Sequence, residues 1–284
     1  MGGYIELFKE DDQKKRKSYG IYGLTCWHVV EDVIPDGEVR KRYNDNGMNP
    51  GDANGKKVGL LCPGKNEHLS YLKQIDYAIE RRRNTPKASE TAIRLTLEKD
   101  ASLQAWDEHG KLGHLFCGSG HKRNGESHRL DWALIKVDQE RIGTNKLPSR
   151  ETWDNLPCNS RMIVPIHLDK LTKIGNRSQS SEYVFQVGNV SKASIGEFSE
   201  MRSDCLLKGE TVHSIEYCFT GRGGLFAQEG DSGALVYDMT CSLVGMVFLG
   251  NSMFYNPGVT YVMDIKHLVK DIEERTGCKV GLPQ

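Results

Sequence analysis

The sequence has no run approaching the ~20 consecutive apolar residues that a membrane-spanning helix needs. Its opening segment, Met1 to Glu10, lacks the apolar core of a secretory leader. No membrane partner is expected. A surplus of one charge is also missing, since 38 Lys and Arg balance 38 Asp and Glu. Neutralising a phosphate backbone takes an excess of basic residues, so no nucleic-acid partner is expected. The short basic runs Lys14–Lys17 and Arg81–Arg83 read as solvated loops or helix faces. Cysteine is sparse, eight in 284 residues with no Cys-x-x-Cys pair, which excludes a disulfide scaffold. Reduced thiols in a cytoplasmic chain are the expectation, and the sequons at Asn176 and Asn189 are discounted accordingly. Internal repeats and low-complexity tracts are absent as well.

What is present is a series of short β-type runs bounded by turn residues. They include Tyr4–Phe8, Tyr19–Val30, Asp131–Val137, Arg161–Leu168, Tyr183–Val190, Thr211–Thr220, Ala234–Asp238, Leu243–Leu249 and Val259–Asp264. The charged stretch Lys9–Lys17 reads as a hairpin tip. Such spacing points to an all-β sandwich or barrel, and strict βα alternation is missing. Two regions depart from the pattern. Between Asn66 and Trp106, Leu69, Leu72, Ile75, Ile79, Ile93 and Leu97 recur at helical spacing, so a helical insertion is expected. Near the end, Asp264 can cap a helix whose apolar face is Ile265, Leu268, Val269 and Ile272 and which Gly277 stops.

Three segments carry chemistry, in the order His, Asp, Ser. Gly23-Leu-Thr-Cys-Trp-His28-Val-Val30 is an apolar strand running into a histidine. Leu130-Asp131-Trp-Ala-Leu-Ile-Lys-Val137 has a carboxylate at the head of an apolar strand. Glu229-Gly-Asp-Ser232-Gly-Ala-Leu-Val236 sets a serine in a glycine-flanked turn before a buried strand. A serine hydroxyl is a weak nucleophile until a base takes its proton. Imidazole titrates where that base must, and a buried carboxylate fixes its tautomer and stabilises its charged form. Glycine at position 230 lets the backbone approach a substrate closely, so the N–H groups of Gly230 and Ser232 can converge on an oxyanion.

These segments resemble the Thr-Ala-Ala-His, Asp-x-Ala-Leu and Gly-Asp-Ser-Gly signatures of the trypsin/chymotrypsin-like serine peptidases. The chain is similar, in particular, to divergent intracellular trypsin-like domains of fungi that belong to larger signalling or immune-type proteins. The resemblance implies a mainly β fold of two antiparallel six-stranded barrels, residues 1–160 with the helical insertion and residues 161–284 with the closing helix. It implies a serine endopeptidase acting on protein or peptide substrates without cofactor or metal. His28, Asp131 and Ser232 would form the triad, with the Gly230 and Ser232 amides as the oxyanion hole. Counting back six residues from the nucleophile puts Phe226 at the floor of the specificity pocket. Phe248, Leu249 and Gly250 would form a wall that pairs with substrate backbone. An α/β-hydrolase is excluded, because its elbow needs Gly two residues after the serine and Ala234 stands there.

The chain also departs from that family. His28 and Asp131 lie 103 residues apart, and the insertion accounts for much of the excess. No Ile-Val-Gly-Gly activation sequence occurs, so either Asp231 finds a partner other than a new amino terminus or the oxyanion turn is ordered only on activation. Phe226 supplies no charge, Gln228 replaces a bracing cysteine, and Phe248 stands where a serine usually supports the triad carboxylate. An uncharged pocket preference follows. The short front end suggests part of a larger regulatory polypeptide, which would gate the enzyme through the insertion or the first strand. The competing reading is a degenerate trypsin-like module for protein–protein interaction. Among other candidates, His114, Cys117 and His121 lack a completing cluster and read as a loop rather than a metal site. Cys26 reads as packing rather than half of a Cys–His dyad. Trp27 and Trp132 read as core or subsite wall, and Asn189–Gly196 as a structural turn.

Overall fold

The computed structural model describes residues 2–82, 88–154, 156, 169–175, 183–207, 212–251 and 258–283. The expected strand at Arg161–Leu168 lies outside the described residues. A first, six-stranded sheet contains β1 (Gly3–Glu10), β2 (Arg16–Thr25), β3 (Gly59–Leu61), β4 (Lys111–Gly118) and β5 (Ala133–Val137). The second half contributes β6 (Lys173–Ile174), β7 (Tyr183–Gly188), β8 (Lys192–Cys205), β9 (Ser214–Gly221), β10 (Leu235–Asp238), β11 (Ser242–Asn251) and β12 (Val259–Asp264). A last strand, β13 (Lys279–Gly281), returns to pair with β1 at the edge of the first sheet, whose order is β13-β1-β2-β5-β4-β3. Helices are α1 (Gly37–Asn46), α2 (Lys65–Arg82), α3 (Ala88–His109), α4 (Arg150–Asp154) and α5 (Ile265–Thr276).

In the second half, β10-β7-β8-β9-β12-β11 closes on itself through β10–β11 pairing, giving a six-stranded barrel, and β6 adds in parallel to β11. Closure removes exposed sheet edges and lets alternate side chains fill the interior. Val184, Phe219, Phe226, Val236, Val244 and Val262 do so here. Trp27, Met48, Leu60, Leu115 and Ile135 fill the concave side of the first sheet. A third cluster joins the two halves: Ile5, Leu24, Trp132 and Leu134 from one side meet Phe185, Met246 and Phe248 from the other, with Leu268 and Ile272 of α5. The mainly β architecture with a helical insertion and a closing helix is as expected, and the β13 return adds a strand that the sequence pattern did not reveal.

The closing helix forms for the expected reasons. The Asp264 carboxylate accepts from the Lys266 amide at 2.8 Å, and Gly277 ends the helix at φ +65°. Ile265, Leu268 and Ile272 are buried together. The insertion is a helical hairpin, α2 followed by α3, and its ends are close: Leu61 pairs with Lys111, and the Cys62 amide donates to the Gly110 carbonyl at 2.8 Å. It therefore extends from the β3–β4 connection without interrupting the sheet. No disulfide joins any two of the described cysteines.

Candidate active site

β2 ends at Thr25, and a single tight helical turn, Trp27–Val29, then presents His28. Trp27 is fully buried, with its indole donating to Asn44 Oδ1 of α1 at 2.7 Å, so the turn is held from behind. Asp131 immediately precedes the segment that enters β5. Its carbonyl accepts from the Trp27 amide at 3.2 Å, linking the two segments through their backbones. The neighbouring Trp132 is fixed at both ends: its amide donates to Ser119 Oγ at 2.8 Å and its indole to Asp271 Oδ2 of α5 at 2.9 Å.

The Asp131 carboxylate is 2% exposed and grips His28 twice. Oδ1 accepts from the His28 backbone amide at 2.9 Å, and Oδ2 lies 2.6 Å from Nδ1 of the ring. This pairing orients the imidazole and leaves Nε2 for a second partner. Burial of the ring opposes its charged form, but the Asp131 hydrogen bond and charge prevail, and the His28 pKa stands above its ordinary 6.5. Burial likewise opposes ionisation of Asp131, and its bonds to His28 prevail, holding that carboxyl below its ordinary 3.8.

Ser232 sits half-buried in the turn between Gly230 and β10. Two adjoining crevices, of about 280 and 840 Å³, share His28, Glu229, Gly230 and Ser232 in their walls. His28 and Ser232, from positions over 200 apart, thus open on one place, and Asp131 is buried behind His28. No hydrogen bond joins the Ser232 hydroxyl to His28 in this ligand-free arrangement, and such contacts often tighten only around substrate. Gly230 adopts φ +99°, a region closed to most side chains, and a Cβ there would lie 2.8 Å from Val190. Among the described residues the amides of Gly230 and Ser232 take no partner, so both are available to a ligand.

Asp231 does have the alternative partner that the missing activation sequence called for. Its buried carboxylate accepts from the amides of Val190 at 2.7 Å, Ser191 at 3.2 Å and Gln228 at 2.8 Å. The β7–β8 turn and the serine turn are thereby tied together without a free amino terminus. The approach depends on Gly188, where a Cβ would come within 2.2 Å of Asp231 Oδ1.

Phe248, Leu249 and Gly250 line the smaller crevice. Phe226 does not: it is fully buried in the second barrel among Phe219 and Val262, and its neighbours Leu225 and Ala227 line the crevice instead. Alternation explains the difference, because adjacent residues in extended chain face opposite ways. Phe226 contributes its carbonyl, which accepts from Gln186 Nε2 at 2.7 Å and Ser194 Oγ at 2.6 Å. Cys26 is buried and donates to the Val247 carbonyl at 3.2 Å; burial, with the Asp131 charge, pushes its thiol well up, so it stays protonated packing.

Sequence reasoning missed the wall of the larger crevice. Val29 and Val33 on one side face Leu60, Leu61 and Pro63 at the root of the insertion. From there Glu67 of α2 reaches across to accept from Asn189 Nδ2 of the β7–β8 turn at 2.7 Å. Nothing in the composition of residues 59–67 marks them; only folding brings them to the serine. His114, Cys117 and His121 do not converge, and His121 Nε2 instead meets Glu31 Oε2 at 2.9 Å.

No family model matches the sequence, and no curated protein is similar to it. Solved structures are. Cellulomonas bogoriensis chymotrypsin is 13% identical with a TM-score of 0.40, over 61% of this chain and 76% of that one. A glutamic acid specific serine protease, described as using a histidine triad in substrate binding, is 10% identical with a TM-score of 0.42, over 62% and 76%. Thermobifida fusca protease A is 13% identical with a TM-score of 0.36, over 60% and 90%.

Proposed function

We propose that the chain is a serine endopeptidase that cleaves protein or peptide substrates through an acyl-enzyme. The observation that carries this reading is the doubly held His28–Asp131 pair, 2.6 Å at the ring, opening on the crevice that Ser232 lines. Ser232 Oγ adds to the scissile carbonyl as His28 Nε2 takes its proton, and Asp131 stabilises the resulting imidazolium. The unpartnered Gly230 and Ser232 amides receive the oxyanion. The tetrahedral adduct then collapses, His28 gives its proton to the departing amine, and water repeats the sequence on the ester.

Substrate backbone pairs with Phe248–Gly250 in extended form, placing the residue before the scissile bond in the smaller crevice. Leu225, Ala227, Val247, Phe248, Leu249 and Val259 give this crevice apolar walls beside the polar Gln228, Glu229 and Ser232, and the apolar walls favour an uncharged side chain. The residues after the scissile bond run into the larger crevice, towards the insertion. Described cysteines that form no disulfide with one another fit a reducing compartment, and we place the enzyme in the cytoplasm on that ground.

The test is cleavage of a mixed peptide library by the purified chain and by Ser232→Ala. Cleavage after uncharged residues that disappears in the variant supports the reading. Binding of the same peptides by both proteins without cleavage supports the alternative, an interaction module, to which the missing Ser232–His28 hydrogen bond would then be relevant.

A further inference from the structure

Away from the crevice, the loop between β4 and β5 meets β9 and α5 in a second cluster of titratable groups. Asn124 Oδ1 accepts from the amides of Glu126 at 3.0 Å and His128 at 2.9 Å, which sets the positions of both residues. The loop is docked onto β9, with the Ile215 amide donating to the Ser127 carbonyl at 3.1 Å and the Arg129 amide to Glu216 Oε1 at 2.8 Å. His128 is 2% exposed, sandwiched between the rings of Tyr217 and of His267, the latter in the first turn of α5 with its centroid 4.5 Å away. His267 Nε2 lies 3.8 Å from Glu126 Oε2. One ring nitrogen of each histidine and a carboxylate oxygen of Glu126 all fall within 4.8 Å of one another. His128 Nε2 is buried and has no hydrogen-bond partner. A buried nitrogen left unsatisfied is costly, and a protein keeps one where something else comes to bind it.

We propose that Glu126, His128 and His267 form a zinc site. Two imidazoles and one carboxylate are a donor set for Zn²⁺, whereas Ca²⁺ and Mg²⁺ take oxygen ligands. Tetrahedral zinc with ligands at about 2.0–2.1 Å sets neighbouring donor atoms roughly 3.4 Å apart. The cluster is wider than that, 3.8 Å from His267 to Glu126 and within 4.8 Å overall, and the Glu126 side chain, 64% exposed, has room to move in. Its solvent side leaves a fourth position for water. Glu216 Oε2 stands 4.0 Å from His128 Nδ1, a carboxylate near one ligand but beyond hydrogen-bond distance. The bound ion ties the loop that leads into Asp131, three residues beyond His128, to α5. None of the three ligands lines the Ser232 crevices, so the site is distinct from the catalytic one.

The experiment is calorimetric titration of the chelator-treated chain with zinc chloride, with cobalt(II) absorption as a direct report of coordination. The expected result is one equivalent bound with micromolar affinity or better, and tetrahedral cobalt bands. His267→Ala abolishes both. Glu126→Gln, at an exposed position that leaves folding intact, weakens binding by at least the roughly 10–100-fold typical of lost outer-sphere partners. His28→Ala keeps full binding; this control matters because Cys26, His28 and Asp131 also lie within 4.8 Å of one another. Absence of binding in the parent chain, unchanged affinity in Glu126→Gln, or loss of binding in His28→Ala would each overturn the proposal.

Discussion

At the scale of single residues, the proposed catalysis depends on how Asp131 holds His28. An asparagine there presents an amide to the ring, favours the wrong tautomer and removes the charge that stabilises imidazolium. Asp131→Asn is therefore expected to lower turnover by on the order of 10⁴-fold. The same pair sets the pH dependence. His28 must be neutral to accept a proton and its pKa is raised, so kcat/KM should rise with pH through a midpoint above 6.5, and Asp131→Asn should move that midpoint down. For stability the signs are opposite for the two partners. The depressed Asp131 pKa contributes stability that is lost as pH falls through the folded value. The raised His28 pKa contributes stability that is complete below 6.5 and lost as pH rises through its folded value. Denaturation across a pH series should show the pair contributing most between those limits. Asp231 is the other residue on which the turn relies. Asp231→Asn turns an amide NH₂ towards backbone donors at Val190, Ser191 and Gln228, and is expected to cost about 1–3 kcal/mol in urea unfolding while slowing acylation.

At the scale of elements, legibility in the sequence followed the locality of the signal. The closing helix was readable because cap, apolar face and stop all lie within fourteen residues, Asp264 to Gly277. The insertion was readable from helical spacing, and its observed limits, Lys65 and His109, lie close to the expected Asn66 and Trp106. Strand β8 escaped notice because Lys192–Cys205 is half-exposed and interrupted by a register shift, which blurs its alternation. Helix α1 was missed for a similar reason: most of its residues are polar and only Tyr43 is buried. At the site, the His, Asp and Ser segments were legible as motifs, whereas the orientation of Phe226 turned on one residue of register. Two measurements belong here. Leu268→Ala, emptying a fully buried position where α5 meets both halves, should cost about 2–5 kcal/mol in denaturant unfolding. Replacing residues 62–110 by a two-residue turn should leave a folded chain whose Ser232 still reacts, because Leu61 and Lys111 are already paired strand neighbours. Its kcat/KM should lose discrimination for the residues after the scissile bond, since Pro63 and Glu67 are removed from the larger crevice.

At the scale of the whole molecule, the fold solves one geometric problem. It fixes His28 and Asp131 on the first sheet, the proposed base and its carboxylate, and Ser232, the proposed nucleophile, on the closed barrel, and joins the two through a shared apolar cluster. Under the proposed function, a carboxylate buried behind a half-exposed histidine beside a serine turn has a defined use. The arrangement is intelligible as stored preorganisation, in which groups are held for a charge that appears only during reaction. Its most direct test is the reaction of the intact chain with a fluorophosphonate, followed by mass spectrometry of the digested product. The expected result is one adduct per chain, located on Ser232 and lost in both Ser232→Ala and His28→Ala. Equal labelling of parent and variants, or an adduct on any other residue, would contradict the account.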